Sequence, residues 1–253
     1  MKFVSLFAGI GGLDLGLERA GWECVAQVEN DPWCTKILEK HWPTIPKWSD
    51  IHELDPADLP DTDAVVGGFP CQPVSYAGRR KAQDDPRWLW PEFLRIVRMV
   101  RPRIVLVENV PGLLTAGLGD VLAGLAGAGY DTEWASVPAA AVGAPHLRWR
   151  VFIVAYSDTF GWDGWAGEQW PGRRGEPQNE GWWAVKSGVG GSADGVPKEL
   201  DGTWEDGITR TAVNVQDRAA RLRGLGNAVV PQVAEWVGRR INTSIGEHDE
   251  CIR

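Results

Sequence analysis

Residues 3–12 read FVSLFAGIGG, an apolar run that passes directly into a turn rich in glycine. The run predicts a buried strand, and the glycines let the following backbone approach a ligand closely and adopt positive φ. Leu13, Leu17 and Ala20 then share one face of a predicted helix. Taken alone, the pattern fits a ligand-binding turn and an ordinary tight turn equally well.

Further strands and helices alternate along the chain. Apolar runs predict strands at 24–28, 64–66, 103–107, 132–137 and 151–155, and helical spacing predicts helices at 32–40, 88–100, 118–128 and 229–241. This alternation predicts an α/β fold, a mostly parallel sheet with helices on both faces. Such sheets bind ligands beyond the carboxyl ends of their strands, so the residues after each strand are the candidates for a site.

An acid follows the second predicted strand. Glu29 lies about 20 residues after the glycine turn, the spacing at which a carboxylate often accepts hydrogen bonds from ribose hydroxyls. The glycine turn contains no basic residue and does not read GxGxxG, which disfavours a pyrophosphate and favours an uncharged nucleoside-like ligand. The alternative is that Glu29 is a solvated loop acid.

Two later strands are followed by reactive side chains. Cys71 lies on a loop rich in glycine and proline, beside Arg79, Arg80 and Lys81, whose charges favour a thiolate, so it is the best candidate nucleophile. Glu108 follows four apolar residues, and partial desolvation there can raise the pKa of a carboxyl toward the range of a proton donor. A buried thiol and a capping acid are the alternatives.

Two arginines precede the last predicted strand. Alternation along a strand places Arg148 and Arg150 on one face, where they form either part of a site or a solvated pair of charges.

Length and composition limit the classes of protein. A chain of 253 residues with 43% apolar residues fits one domain, or one domain that carries a smaller insert. No apolar run approaches the roughly 18 residues of a membrane span, and no signal peptide is recognised. The four cysteines form no CxxC pair, which disfavours a zinc site or a disulfide framework and suits a reducing compartment. We therefore expect a cytoplasmic protein without a metal or membrane partner.

Charge is unevenly distributed. The whole chain has a net charge of −8, which by itself disfavours a nucleic-acid partner. Residues 158–216 carry 10 acidic and 5 basic side chains, and they also contain 6 of the 15 tryptophans and 12 of the 31 glycines. We interpret this segment as an irregular insert, whereas the stretch that contains Arg218, Arg221 and Arg223 is locally basic.

Several motifs in a fixed order resemble those of the DNA (cytosine-5) methyltransferase family, in a minimal phage or bacterial form. They are Phe-x-Gly-x-Gly-Gly from Phe7, Glu-Asn-Asp from Glu29, Asp50-Ile51, Pro-Cys-Gln around Cys71, Glu-Asn-Val from Glu108, Arg-x-Arg from Arg148 and Gly-Asn-Ala-Val from Gly226. The resemblance covers residues 3–156 and about 218–240. It implies a class I methyltransferase fold with S-adenosylmethionine as cofactor, in the cytoplasm of a bacterium or a phage-infected host cell.

The resemblance also implies roles for individual residues. Cys71 would attack carbon 6 of a flipped-out cytosine in double-stranded DNA, Glu108 would hold the ring at N3, Arg150 would contact the base carbonyl, and Arg148 would support the site or a phosphate. The cofactor residues would be Phe7, Gly9, Gly11, Gly12, Glu29, Asp50, Ile51, Asn227 and Val229. The DNA-binding residues would be Gln72, Ser75, Arg79, Arg80, Lys81, Arg218, Arg221 and Arg223.

The resemblance divides the chain as well. Residues 1–157 would form the catalytic domain, 158–216 a short target-recognition region, 217–243 the return of the chain with the terminal helix, and 244–253 a tail, in a monomeric protein. The chain departs from the family in having His146-Leu147-Arg148 where Gln-Arg-Arg is usual. It also lacks an Arg-x-Leu-Thr-x-x-Glu element before Gly226, so the way in which residues 158–216 recognise DNA is left open.

Other functions remain open from the sequence alone. Methylation of cytosine in transfer RNA is disfavoured because the Cys-Phe-Thr element of that branch is absent. A catalytically silent DNA-binding relative is disfavoured because Cys71 and Glu108 are both present. A cysteine hydrolase is disfavoured because His146 is the only histidine near a motif. Transfer of a group other than methyl is compatible with the sequence.

Overall fold

A central sheet carries the candidate site at one of its edges. A computed structural model of the chain describes residues 1–70, 88–157 and 217–251. Its strands lie side by side in the order β3-β2-β1-β4-β5-β7-β6. Their bounds are β1 (Lys2–Leu6), β2 (Glu23–Val28), β3 (Lys47–Trp48), β4 (Ala64–Gly67), β5 (Ile104–Asn109), β6 (Tyr130–Val137) and β7 (Arg150–Ser157). All neighbouring pairs are parallel except those of β7, which runs antiparallel to both β5 and β6.

Helices cover both faces of this sheet. One face packs against α3 and α5 and the other against α1 and α7. The helices are α1 (Gly12–Arg19), α2 (Pro32–His41), α3 (Trp90–Val100), α4 (Leu113–Ala116), α5 (Leu118–Ala126), α6 (Arg218–Asn227) and α7 (Pro231–Cys251), with 3-10 turns at Pro56–Asp58 and Ala139–Val142. The predicted α/β fold, a mostly parallel sheet between two helical layers, is confirmed.

Helices α1 and α7 approach each other closely. A Cβ on Gly16 would lie 2.4 Å from the Cβ of Ala234, and one on Gly238 would lie 2.8 Å from the Cβ of Ala20. Leu13, Leu17 and Ala20 are buried in this layer, as the spacing of the sequence predicts. The end of the chain is thereby fixed beside the first helix.

Several elements differ from the sequence prediction. Helix α7 begins at Pro231, two residues later than predicted, and continues to Cys251, so it includes most of the residues predicted to be a tail. Strand β3 has only two residues, and α6 lies in the stretch that the sequence marked only as basic. Segments 71–87 and 158–216 lie outside the described residues, so the irregular target-recognition region stays a prediction.

The carboxyl ends of the parallel strands and the start of β7 meet at one edge of the sheet. Because β7 is antiparallel to β5, its first residues lie beside the last residues of β5, with Glu108 opposite Phe152 and Asn109 opposite Val151. The fold therefore brings together the residues that follow β1, β2, β4 and β5 and those that precede β7.

A buried polar cluster ties β1, α1 and β2 together below this edge. Asp14, fully buried at the start of α1, accepts hydrogen bonds of 2.6 Å from Ser5 Oγ of β1 and from Gln27 Nε2 of β2. Burial raises the pKa of Asp14 to about 6, although the two hydrogen bonds oppose this shift. The cluster fixes the angle at which α1 leaves the sheet.

The raised pKa predicts a dependence of stability on pH. The folded state binds a proton at Asp14 more tightly than the unfolded state does, so the free energy of unfolding should fall as pH rises from about 4 to about 6. In Asp14→Asn this part, about 3 kcal/mol, should disappear. The amide can donate to Gln27 Oε1, which has no hydrogen-bond partner among the described residues. Urea unfolding of both proteins from pH 4 to 7.5 measures the difference, and parallel curves would contradict the prediction.

Candidate functional site

The turn between β1 and α1, residues 7–12, is called the glycine loop below. Phe7, Gly9 and Gly11 have φ of 56°, 58° and 81°, which is the left-handed conformation that glycine adopts without strain. A Cβ on Gly11 would lie 2.4 Å from the ring of Trp42, whereas one on Gly9 would meet no atom within 4 Å. The loop is thus packed at Gly11 and open at Gly9, where a ligand can approach the backbone.

Glu29, directly after β2, holds this loop. Its Oε2 accepts a hydrogen bond of 2.7 Å from the Gly9 amide, and its Oε1 accepts one of 2.7 Å from the Asp31 amide. Burial raises the pKa of Glu29, while these amides oppose the shift. Each carboxylate oxygen has a second lone pair, so the side chain can also accept from a ligand hydroxyl beside the open face of Gly9.

The segment after β3 forms a neighbouring wall. Ile51 is buried among the apolar side chains of the α3 face, and Asp50 Oδ1 accepts a hydrogen bond from the His52 amide. Arg95 of α3 donates to the Ile51 carbonyl at 2.6 Å and to the Leu54 carbonyl at 3.2 Å. Arg95 was not predicted from the sequence, because it is one of three charged residues in α3, with Glu92 and Arg98, and no pattern distinguishes it from them.

Residues 226–229, called the returning chain below, lie against the glycine loop. A Cβ on Gly12 would lie 2.4 Å from the Val229 carbonyl oxygen, and one on Gly224 would lie 2.6 Å from the ring of Trp33. Val229 is buried and Asn227 is exposed. The structure therefore brings the two distant ends of the chain together, as the resemblance implies.

A buried acid and an arginine form a second centre at the same edge. Glu108 is 6% exposed, and its Oε1 lies 2.9 Å from Arg150 Nε. This ion-pair contact lacks hydrogen-bond geometry, and Oε1 has no hydrogen-bond partner among the residues that the structure describes. Burial raises the pKa of Glu108 to about 7, against the charges of Arg150 and Arg148. Near neutral pH this carboxyl can therefore hold or give up a proton.

The backbone just before Cys71 is held beside Glu108. A Cβ on Gly68 would lie 2.7 Å from Glu108 Oε2, and Asn109 Nδ2 donates to the Phe69 carbonyl at 3.1 Å. Cys71 itself lies outside the described residues. It follows Phe69 by two residues in the sequence, and the carbonyl of Phe69 is hydrogen-bonded to Asn109 of β5.

Aromatic rings fix both ends of segment 71–87. The Phe69 ring centroid lies 5.1 Å from that of Trp88, the first described residue after the segment, and 5.5 Å from that of Trp90. Phe93 of α3 completes this aromatic group. The segment that contains Cys71 therefore leaves and rejoins the described chain at neighbouring points.

Arg148 and Arg150 do not share one face of a strand, as alternation predicts that they would. Arg148 lies before β7 with a φ of 30°, so it is outside the extended strand conformation that alternation requires. Its Nη2 donates to the carbonyls of Gly226 and Ala228 instead of turning to Glu108. Of the two arginines, only Arg150 contacts the buried acid.

The predicted DNA-binding residues are only partly described. Arg218 and Arg221 are exposed on α6, and Arg223 lies 3.6 Å from Asp31 in an ion pair. Gln72, Ser75, Arg79, Arg80 and Lys81 lie outside the described residues, and their roles stay predictions.

Two exclusions apply to the described part of the chain. It contains no cluster of three or more His, Cys, Asp or Glu side chains placed to hold a metal ion. None of its helices combines the length and the apolar character that crossing a membrane requires.

Two sites thus share one edge: an open glycine loop with its carboxylate, and a buried acid beside a guanidinium. The sequence matches the description "C-5 cytosine-specific DNA methylase" over residues 1–186, more than two thirds of the chain. This chain belongs to the C-5 cytosine-specific DNA methylase family.

Relatives of this chain support the assignment. It is 37% identical to the Type II methyltransferase M.HgiCII of Herpetosiphon aurantiacus over 166 residues, which are 63% of this chain and 38% of that protein. It is 28% identical to M2.BsuMI of Bacillus subtilis over 97% of this chain and 76% of that protein. The chain spans less than half the length of M.HgiCII and of three similar relatives.

Solved structures agree with the fold. A structure described as a DNA modification methyltransferase encoded within an E. coli prophage has a TM-score of 0.55 and 28% identity, and the match covers 64% of the chain described here and 48% of that chain. The class I methyltransferase fold that the motifs predict is confirmed.

Proposed function

We propose that this methylase transfers a methyl group from S-adenosylmethionine to carbon 5 of a flipped-out cytosine in double-stranded DNA. The observation that supports it best is the buried Glu108, with a pKa near 7, placed against Arg150 and beside the backbone that leads to Cys71. In a family of cytosine-specific methylases such an acid has a defined role, because it can protonate a ring nitrogen of the cytosine.

The glycine loop suits the adenosine part of this cofactor. Glu29 can accept from ribose hydroxyls beside the open face of Gly9, and the buried Ile51 and half-buried Asp50 offer an apolar and a polar wall for the base. Phe7, Gly11 and Gly12 shape the loop, and Asn227 and Val229 bound it from the returning chain. When bound, the cofactor would supply the methyl group as an electrophile on sulfur.

The chain's residues would activate the cytosine, whose carbon 5 is too weak a nucleophile by itself. The Cys71 thiolate forms a bond to carbon 6, and the carbon 5–carbon 6 π pair becomes a carbon 4–carbon 5 double bond. The former carbon 4–N3 π pair moves to N3, where it takes the proton that Glu108 donates. Arg150 faces the base carbonyl and stabilises its negative charge. After methylation, loss of the carbon 5 proton to a base expels the Cys71 thiolate, and the N3 proton returns to Glu108.

The base must leave the duplex for this chemistry, so the protein has to contact the DNA on both sides of the flipped base. Arg79, Arg80, Lys81, Gln72 and Ser75 are proposed to contact DNA from the loop of Cys71. Arg218, Arg221 and Arg223 on α6 are proposed to contact phosphates. Residues 158–216 are proposed to read the target sequence through shape, stacking and hydrogen bonds, because they carry few basic side chains.

Bisulfite sequencing of DNA from cells that express the methylase tests the function. We expect full-length protein to protect cytosines in one short sequence context. A hybrid that takes residues 158–216 from a relative should move protection to that relative's context. Unprotected DNA from cells containing folded protein would contradict the proposal, and an unmoved context would contradict the role of the segment.

A further inference from the structure

Arg148 makes contacts that neither the base nor a phosphate explains. Its Nη2 donates to the Gly226 carbonyl at 2.7 Å and to the Ala228 carbonyl at 2.5 Å. Both carbonyls lie at the C-terminal end of α6, where helix carbonyls have no partner within the helix and carry partial negative charge. The guanidinium therefore caps α6.

The carbonyls that Arg148 caps belong to the returning chain, which packs closely against the glycine loop. On its other side, the Val229 carbonyl oxygen lies where a Cβ on Gly12 would be, only 2.4 Å away. Gly224, one turn earlier, packs on Trp33 and Ile10 beside the same glycine loop. The returning chain is thus held between Arg148 and the glycine loop.

We propose that Arg148 is a positioning residue for cofactor binding: it holds residues 226–229 against Gly12 and does not bind DNA phosphate. This inference rests on the proposed function, because it concerns the site of the same cofactor. Arg150, two residues further on, contacts Glu108, so a stretch of three residues joins the cofactor wall to the base pocket. Loss of the Arg148 guanidinium should affect the first without removing the second.

The test measures S-adenosylhomocysteine binding to the full chain by calorimetry without DNA. In Arg148→Gln we expect the dissociation constant to rise about 10- to 100-fold, the range expected for the loss of charge-assisted hydrogen bonds. Arg148→Lys should recover part of the affinity, because an ammonium can also donate to two carbonyls. Amide hydrogen exchange at residues 226–230 should be faster in the Gln variant.

Arg101 provides the matched control. It also has positive φ, at 54°, and its guanidinium also donates to a backbone carbonyl, that of Ala128, but it precedes β5 and lies at the opposite edge of the sheet. Arg101→Gln should leave S-adenosylhomocysteine binding unchanged. The same preparations are used for DNA binding at several salt concentrations, where Arg148→Gln should keep the wild-type slope.

Several outcomes would overturn the proposal. Unchanged cofactor affinity and unchanged exchange in Arg148→Gln would refute it, and a shallower salt slope with intact cofactor binding would identify a phosphate contact instead. If the Gln variant does not fold, Arg148→Met, which also has no cationic donor, takes its place, and wild-type affinity with unchanged exchange at residues 226–230 in that variant is the refuting result. A wild-type chain that binds no S-adenosylhomocysteine would refute the proposed function together with this inference.

Discussion

Glu108→Gln is expected to lower the rate of methyl transfer by about 10²- to 10⁴-fold, the usual contribution of a general acid. A glutamine fits the same space and can still donate a hydrogen bond to N3, but it has no proton to transfer. In the wild type, the raised pKa of about 7 means that the rate should fall as pH rises through that value, because the carboxyl loses its proton. The residual activity of the variant should lack this dependence.

Single-turnover rates between pH 6 and 9 measure both effects. Glu235→Gln is the matched control, since Glu235 also has an arginine nitrogen at 2.9 Å, that of Arg239, but on the outer part of α7. It should keep the wild-type rate and profile. A Glu108→Gln enzyme with a wild-type rate and an unchanged pH profile would remove the acid from the mechanism.

Cys71→Ser is expected to abolish turnover, by about 10⁴-fold or more, because a serine hydroxyl is not ionised and cannot form the adduct at carbon 6. Trapping gives a direct readout. DNA that contains 5-fluorocytosine cannot lose a proton from carbon 5, so the wild-type protein should remain covalently attached, and the variant should not.

Cys34→Ser is the control for this experiment. Burial raises the pKa of the Cys34 thiol to about 12, so this thiol is not a nucleophile at neutral pH. The control should be trapped like the wild type on a denaturing gel. Trapping of the Cys71→Ser protein at the wild-type level would show that another group attacks the base.

Most of the central sheet follows from local sequence. The strands β4 and β5 contain continuous apolar runs because both of their faces are covered, and β1 and β2 are mostly apolar apart from the buried Ser5 and Gln27. Such runs are visible without tertiary information. Strand β3 was not predicted, because two residues contain no period. Helix α6 was not predicted either, since Gly224 is its one buried residue and its sequence therefore shows no apolar stripe.

The positions of site residues could be predicted from the sequence where a motif determines the backbone. They were less predictable where the hydrogen-bond partners of a residue come from distant segments. The positions of Glu29 and Glu108 follow from the strand ends that precede them. The direction of Arg148 does not, because alternation presumes a strand, whereas its positive φ places it outside one. The acceptors of Arg148 lie 78 and 80 residues away in the sequence. Only the folded chain reveals such contacts.

The contact between Phe69 and Trp88 has a consequence for how this enzyme family can vary. Because the Phe69 and Trp88 rings are in contact, the segment between them starts and ends at neighbouring positions. The packing of the sheet therefore does not depend on the length of that segment. The entropy of closing a loop changes only slowly with the number of residues. Insertions or deletions between these two positions can therefore be tolerated without displacing α3.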